Sequence, residues 1–421
     1  MAITAKRKTW QLFEHQTIRV GSSINGILFD EKTFHTLAIY QEKQTTKYFT
    51  LVYRGIKLSH YVGIIQVGDL TIEILPKADR SANQNAAKWQ GVLLEMLRYC
   101  RLLPIESAGL GQVRLASNTI LDLYVRRFLE SVQSLINKGL PRKYLGQKSN
   151  EKVLKGRLDL PTHLRKNGHR SERFWVQYQS FAYDHLFNQM LLAALKTLDR
   201  LYLKSDLKWL VKQALATFPV VSDRWLSPSD FERLFQNSLY QEHRFLMEWS
   251  RLILLNFSPD IRYGQHHLFA LLFDMNQLYE EYVFWQLKRL ENERITVRRQ
   301  TSRPFWQRRT IRPDLVVQVD DTIFVLDTKW KLLSSNPRTG KQPPIEDLKQ
   351  LYIYCQYFSA SKGILLYPKV SDAQKNTSPI PFQSFDSGEN KVKGQVLFLP
   401  ILKEDGMLNR RLGAEIFERL V

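Results

Sequence analysis

The sequence predicts an α+β multidomain protein in three parts: an N-terminal β-rich domain over residues 1–105, a mostly helical region over 106–265, and a C-terminal α/β domain over 266–421. Three observations carry that reading. Short β-branched and aromatic runs crowd the first 75 residues, apolar residues recur at helical spacing through the middle, and from Met275 the pattern runs helix, strands, hairpin, helix, strand, strand.

Composition narrows the class. A chain of 421 residues with 44% hydrophobic content can fill a sizeable core. Its net charge of +20 favours a polyanionic partner, most simply nucleic acid. A basic membrane-surface protein is the competing class, but no apolar run reaches the roughly 18 residues of a membrane span. Met1 to Gln16 lacks the apolar core of a signal peptide. Cys100 and Cys355 are too few and too far apart for a zinc site or a disulfide framework, so a reducing cytoplasm is expected.

In chain order, Gly26 to Phe29, Tyr48 to Tyr53, Tyr61 to Ile65 and Leu70 to Leu75 read as strands, the last stopping at Pro76. Trp89 to Leu102 reads as an amphipathic helix. A second, Leu121 to Ile136, ends at Gly139 and Pro141. Val153 to Pro161 reads as a strand or hairpin arm, followed by helices over 184–204, 206–217 and 229–255. This region suits a solvated spacer or a protruding arm that docks a partner. His163, Asn167 and His169 hint at an HNH nuclease, yet they crowd into one basic loop, whereas that fold needs a ββα unit.

Met275 to Leu290 is a helix by its apolar stripe, with Glu280 and Glu281 beside it. Arg294 to Arg312 then holds seven arginines and no acid, with Phe305 and Trp306 interleaved. Guanidinium forks match phosphate oxygens and aromatic rings stack on bases. Arg298, Arg299, Arg303, Arg308, Arg309 and Arg312 are the candidate DNA-binding residues. The plain alternative is a basic strand pair facing water.

The chemistry converges on Ile311 to Lys331. Leu315 to Val319 and Ile323 to Leu326 read as strands joined at Asp320-Asp321. A hairpin closed there sets Asp314 opposite Asp327, and Lys329 shares a strand face with Asp327. Two carboxylates about 4 Å apart repel by roughly 4 kcal/mol at an effective dielectric of 20. One lysine offsets part of this; Mg²⁺ or Mn²⁺ offsets more and prefers carboxylate oxygens. Asp314 and Asp327 are thus candidate metal ligands, with a helix glutamate as a third, Glu280 or its neighbour Glu281. A cation held there activates water, and Lys329 orients it or neutralises the transition state. The plain alternative is an edge hairpin with an ordinary salt bridge.

After the loop of Ser334 to Pro344, Ile345 to Phe358 is a helix. Gln350 and Tyr354 are four apart on one face of it, placed to bind a phosphate or to position Lys329. Gly363 to Pro368 and Gln395 to Leu399 read as buried strands. No P-loop occurs, since Gly340-Lys341 is followed by Gln342, so no nucleotide is expected to bind this chain in that way. Gly109-Leu110-Gly111 is too little for a dinucleotide fingerprint.

Pro313-Asp314 and Asp327-Thr328-Lys329 resemble the PD-(D/E)xK nuclease motif. Gly68 to Lys77, Gly156 to Asp159, Leu278 to Val283, Arg312 to Asp314, Asp327 to Lys331 and Gln350 to Tyr354 follow one another in the order seen in a known family. The chain resembles McrC, the nuclease subunit of McrBC-type modification-dependent restriction systems, from about residue 20 to 400. The resemblance implies a C-terminal PD-(D/E)xK endonuclease core with Asp314, Asp327 and Lys329 as catalytic residues, and Glu280 as the match to a recurrent helix glutamate. It implies Mg²⁺-dependent cutting of DNA containing modified cytosine. It also implies a hexameric AAA+ GTPase partner of the McrB type, contacted through the N-terminal and helical regions and stimulated by this subunit. The missing P-loop agrees with a motor on another chain, GTP- or ATP-driven. Two other readings are a motor-activating DNA-binding adaptor with a vestigial nuclease core and a stand-alone repair nuclease.

Overall fold

The computed structural model describes residues 8–24, 26–76, 86–102, 119–258, 268–331, 333, 335–336, 340–369, 380–385, 392–403 and 406–420. The boundaries expected near 105 and 265, and Gly109-Leu110-Gly111, lie outside the described residues. The chain divides into two compact units, one built mainly from Leu121–Leu271 and one from Lys8–Ile65, Leu70–Ile120 and Leu272–Val421. The second unit therefore draws on both the N-terminal strands and the C-terminal third of the chain.

At the N-terminal end of that unit, Lys8–Phe13, half of whose residues are buried, runs parallel to the fully buried Leu70–Leu75. Thr17–Arg19, Gly55–Leu58 and Phe49–Val52 form a small antiparallel sheet beside a helix, Glu31–Lys43. That helix was not anticipated. Its apolar stripe is weak, and its start is set by Asp30, whose side chain accepts from the Thr33 amide at 2.8 Å.

The C-terminal part of the same unit is a six-stranded sheet in the order Ile295–Arg299, Leu315–Val319, Thr322–Thr328, Lys362–Lys369, Lys393–Pro400, Ile380–Ser384. The first three strands are antiparallel, the third, fourth and fifth are parallel, and the sixth returns antiparallel. The parallel step from 328 to 362 needs a crossover, supplied by the helix Ile345–Phe358. Leu351 and Cys355 of that helix pack with Val325, Leu365 and Tyr367 of the sheet. Gly363 lets the helix come this close, because a Cβ there would meet Cys355 Sγ at 2.5 Å and Leu351 Cγ at 2.8 Å. Gly363→Ala should therefore cost about 1–3 kcal/mol in denaturant unfolding; an unchanged midpoint would mean that this helix is not seated on the sheet.

A second helix, Met275–Lys288, buries the expected stripe and also Glu280. Ala86–Tyr99 packs on it through Tyr99 and Tyr282, whose rings meet edge-on at 5.3 Å. The unanticipated helix Leu412–Leu420 packs there too, with Gly413 against the Gln286 backbone.

The other unit is mostly helical, and it also holds a sheet larger than the single strand or hairpin arm expected there. Helices Ile120–Lys138, Leu186–Arg200 and Ser205–Thr217 form close to where periodicity places them. Between them, however, two nine-residue strands, Lys143–Glu151 and Phe174–Ala182, pair along their whole length, with Arg157–Leu158 added as a third. Both long strands are partly exposed on each face, which erases the alternation that announces a half-buried strand. Gly156, at φ +65°, lies so close to the Gln177 carbonyl that a Cβ would approach it to 2.5 Å. The helix expected over 229–255 is broken: Pro228–Gln236 ends at Asn237, whose side chain accepts from the Leu239 amide and opens a 3-10 turn, Ser238–His243, before Arg244–Leu255. Among the described residues no helix is long and apolar enough to cross a membrane.

Candidate active site

The hairpin closes as its residue types require. Val319 pairs with Thr322 across the two-residue turn, and Leu315 pairs with Leu326 at the other end. Asp320 takes φ +50° at the turn, a conformation that aspartate tolerates, and its carboxylate receives both Nε (2.8 Å) and a terminal nitrogen (2.7 Å) of Arg294. This register brings Asp314 beside the end of the Thr322–Thr328 strand. Asp314 Oδ2 accepts from the Thr328 amide and from the Thr328 hydroxyl, each at 2.7 Å.

Val325, Asp327 and Lys329 alternate onto the face covered by the Ile345–Phe358 helix. The Lys329 ammonium lies 2.6 Å from Asp327 Oδ2 and donates to Gln350 Oε1 at 3.0 Å. Gln350 Nε2 in turn donates to the Tyr354 hydroxyl at 2.7 Å. Of the five polar side chains singled out at this point of the sequence, Asp327, Lys329, Gln350 and Tyr354 form one chain of contacts, and Asp314 is bonded to Thr328, the residue between Asp327 and Lys329.

The electrostatics are uneven. The Asp327 side chain is 1% exposed. Burial, and then the neighbouring charge of Asp314, push its carboxyl up to about 7, against the pull of Lys329. Burial pulls the Lys329 ammonium down, but the charge and hydrogen bond of Asp327, with the charges of Asp347 and Asp314, together hold it above the ordinary lysine range. Burial followed by Asp314 likewise raises Glu280 to about 7. Glu280 accepts from Gln300 at 2.9 Å, whereas its neighbour Glu281 is paired with Arg299 at 2.8 Å. Of the two glutamates it is therefore Glu280 that feels Asp314. Among the described residues no group of three or more His, Cys, Asp and Glu side chains is arranged to hold a metal ion.

The arginine-rich stretch separates into two kinds. Arg294 and Arg299 are engaged by acids, as above. Arg303–Trp306 and Arg309–Ile311 form a small exposed hairpin, in which Arg303, Arg308 and Arg309 face solvent with Phe305 and Trp306. The base of this hairpin is held by the crossover helix: Arg303 donates to the Tyr357 carbonyl and lies 4.6 Å over Phe358, and Phe305 meets Tyr357 edge-on at 5.4 Å. Arg298 and Arg312 are also exposed.

The HNH suggestion finds no support in the fold. His163 and Asn167 lie on a helix, Leu160–Asn167, rather than in a loop. Buried Asn167 exchanges hydrogen bonds with Asn150 at 2.7 and 3.0 Å, and His163 Nδ1 accepts from the Trp175 amide at 3.3 Å. These groups tie the helix to its sheet. Sequence reasoning missed Glu14 and Asp347, buried carboxylates that hold the residues after Asp327; no local sequence signal marks either.

The model of the McrBC 5-methylcytosine restriction system component family matches residues 56–368. None of the curated proteins matches the chain. Among solved structures it is similar to a chain of the refined half-complex from the tetradecameric assembly of Thermococcus gammatolerans McrB AAA+ hexamers with bound McrC. The TM-score is 0.70 and the identity 20%, covering 98% of this chain and 100% of the other. A chain of the cryo-EM structure of the Thermococcus gammatolerans McrBC complex is more distant, at TM-score 0.49 and 21% identity over 68% of this chain and 89% of the other. The family match spans most of the protein: the chain belongs to the McrBC 5-methylcytosine restriction system component family.

Proposed function

We propose that this chain is the DNA-cutting subunit of a modification-dependent restriction complex, a Mg²⁺-dependent endodeoxyribonuclease with a PD-(D/E)xK core. The observation that carries this reading is the meeting of Asp314, Asp327 and Lys329 at the end of one hairpin in a chain of this family. Its partner is an AAA+ motor of the McrB type, whose nucleotide hydrolysis it stimulates, and its substrate is DNA carrying modified cytosine. The fold shared with a chain of an assembly of McrB hexamers with bound McrC supports that choice of partner.

The donor set suits a small hard cation. Mg²⁺ typically takes one or two carboxylates and fills its remaining positions with water and substrate phosphate. Asp314 and Asp327 meet that need; burial first, and then the Asp314 charge, raise the Asp327 carboxyl, and a bound cation would favour its ionised form. Bound there, Mg²⁺ or Mn²⁺ supplies an activated water and neutralises charge at phosphorus. Glu280 adds negative charge on the Asp314 side.

The protein's own residues do the rest. Thr328 fixes the carboxylate of Asp314. Gln350, held by Tyr354, keeps the Lys329 ammonium beside Asp327. From there Lys329 would offer N–H donors and positive charge to the phosphate oxygens as negative charge develops on them. The exposed hairpin supplies sequence-independent grip on the backbone through Arg303, Arg308 and Arg309, together with Arg298 and Arg312.

The test is cleavage by the chain assembled with its motor, DNA, Mg²⁺ and nucleotide. Asp327→Ala should abolish cutting while leaving stimulated nucleotide hydrolysis intact; unchanged cutting would remove Asp327 from the mechanism. Stimulation without cutting or metal binding by the unaltered chain would favour an adaptor, and robust cutting without motor or nucleotide a stand-alone nuclease. The double variant Arg308→Ala/Arg309→Ala should weaken DNA binding and flatten the salt dependence of log K by nearly 2, at about 0.9 per phosphate contact. An unchanged slope would place the DNA elsewhere.

A further inference from the structure

The three residues that follow the Asp327–Thr328 strand end are tied to different parts of the unit. Lys329 reaches Gln350. Lys331 Nζ lies 2.7 Å from Asp347 Oδ2, the same oxygen that accepts from the Tyr367 hydroxyl at 2.6 Å. Trp330 turns to the opposite face. Its indole is buried, lies 5.3 Å from the ring of Tyr279, and donates through Nε1 to Glu14 Oε1 at 2.8 Å.

Glu14 is 316 residues away in sequence and is completely buried. It follows the Lys8–Phe13 strand, and its backbone is pinned on two sides. The Glu14 amide donates to the Leu75 carbonyl at 3.0 Å, and the His15 amide donates to the Ser59 carbonyl at 3.2 Å. The exposed His15 imidazole lies 3.7 Å from the other carboxylate oxygen. An indole N–H facing a buried carboxylate is a charge-assisted bond with few alternatives once water is excluded. Because Trp330 is adjacent to Lys329, fixing the indole fixes the peptide from which the lysine side chain departs. Tyr279, the other surface of the indole pocket, immediately precedes Glu280.

We infer that Glu14 is a positioning residue for the cutting step: through the Trp330 indole it sets the chain segment that aims Lys329, so cleavage depends on the N-terminal strands. The inference rests on the nuclease reading above. It assigns to those strands a part in the chemistry that the motifs around Asp314 and Asp327 do not contain. A catalytic group has to be held within about half an ångström of its productive position, and displacements near 1 Å cost on the order of 100-fold in rate.

The experiment is single-turnover cleavage at saturating DNA in the assembled complex, with DNA affinity measured in parallel. Trp330→Phe keeps an aromatic ring, smaller than the indole, and removes the donor; Glu14→Leu removes the acceptor; Glu14→Gln keeps an amide oxygen that still accepts. Trp330→Phe and Glu14→Leu should each slow cleavage by about tenfold or more, with DNA affinity within about twofold of the parent. Glu14→Gln should restore the rate to within about threefold. A parent rate in either disruptive variant, or a loss in Glu14→Gln as large as in Glu14→Leu, would overturn the inference. Should Trp330→Phe fail to fold, the Gln-against-Leu comparison at Glu14 decides alone. Asp327→Ala, run alongside, separates the two claims: if it abolishes cutting while Trp330→Phe cuts normally, only the positioning role falls, and if it cuts normally the nuclease reading falls with it.

Discussion

Lys329→Met should slow DNA cutting by about 100- to 1,000-fold in the assembled complex, with DNA affinity changed by no more than a few fold. The magnitude is that of removing one preorganised donor from a site of developing negative charge. The side chain qualifies as preorganised: it is 18% exposed and is held by Asp327 at 2.6 Å and Gln350 at 3.0 Å. Methionine retains the apolar stem and its packing, so a loss of rate would report the missing ammonium rather than a collapsed site. Single-turnover rates read the effect directly. A parent rate would mean that the ammonium faces nothing that reacts.

A second large effect links divalent cations to pH. Burial, reinforced by Asp314, holds the carboxyls of Asp327 and Glu280 up at about 7. The folded protein therefore binds these protons more tightly than the unfolded chain, whose carboxyls titrate near 4. The stabilisation is fully present below that unfolded value and is lost as pH rises through about 7, so without a cation these groups make the protein less stable at pH 8 than at pH 5. A cation at the site takes over from the protons. Mg²⁺ should raise Tm by several degrees at pH 8 and hardly at all at pH 5. Asp314→Asn, which removes the charge that both groups feel, should shrink the pH dependence and the cation effect together. Equal Mg²⁺ shifts at the two pH values would place cation binding away from this cluster.

Much of the hairpin was legible because its signals are local. Five residue pairs separated by a two-residue acidic turn admit one register, and that register alone puts Asp314 beside Asp327. The crossover helix is equally plain, running from Ile345 to Phe358 as its periodicity states, and the four-residue spacing of Gln350 and Tyr354 becomes a real hydrogen bond. What the sequence concealed depends on partners distant along the chain. Nothing in Arg294 to Arg312 reveals that Arg294 and Arg299 are taken up by acids 26 and 18 residues away. Neither glutamate of the Glu280-Glu281 pair declares its direction until the helix is packed. The paired strands Lys143–Glu151 and Phe174–Ala182 carry too little apolar contrast to stand out. The Glu14–Trp330 bond joins the two ends of the chain, and no window of sequence spans it.

Asp314, Asp327 and Lys329 should work as one cleavage centre, and a double-mutant cycle on the last two reads whether they do. Groups that act as a unit lose their function once, so Asp327→Asn/Lys329→Met should cut DNA no more slowly than the slower of the two single variants. Losses that multiply, or a single variant that cuts at the parent rate, would show that the two side chains do not serve the same reacting phosphate.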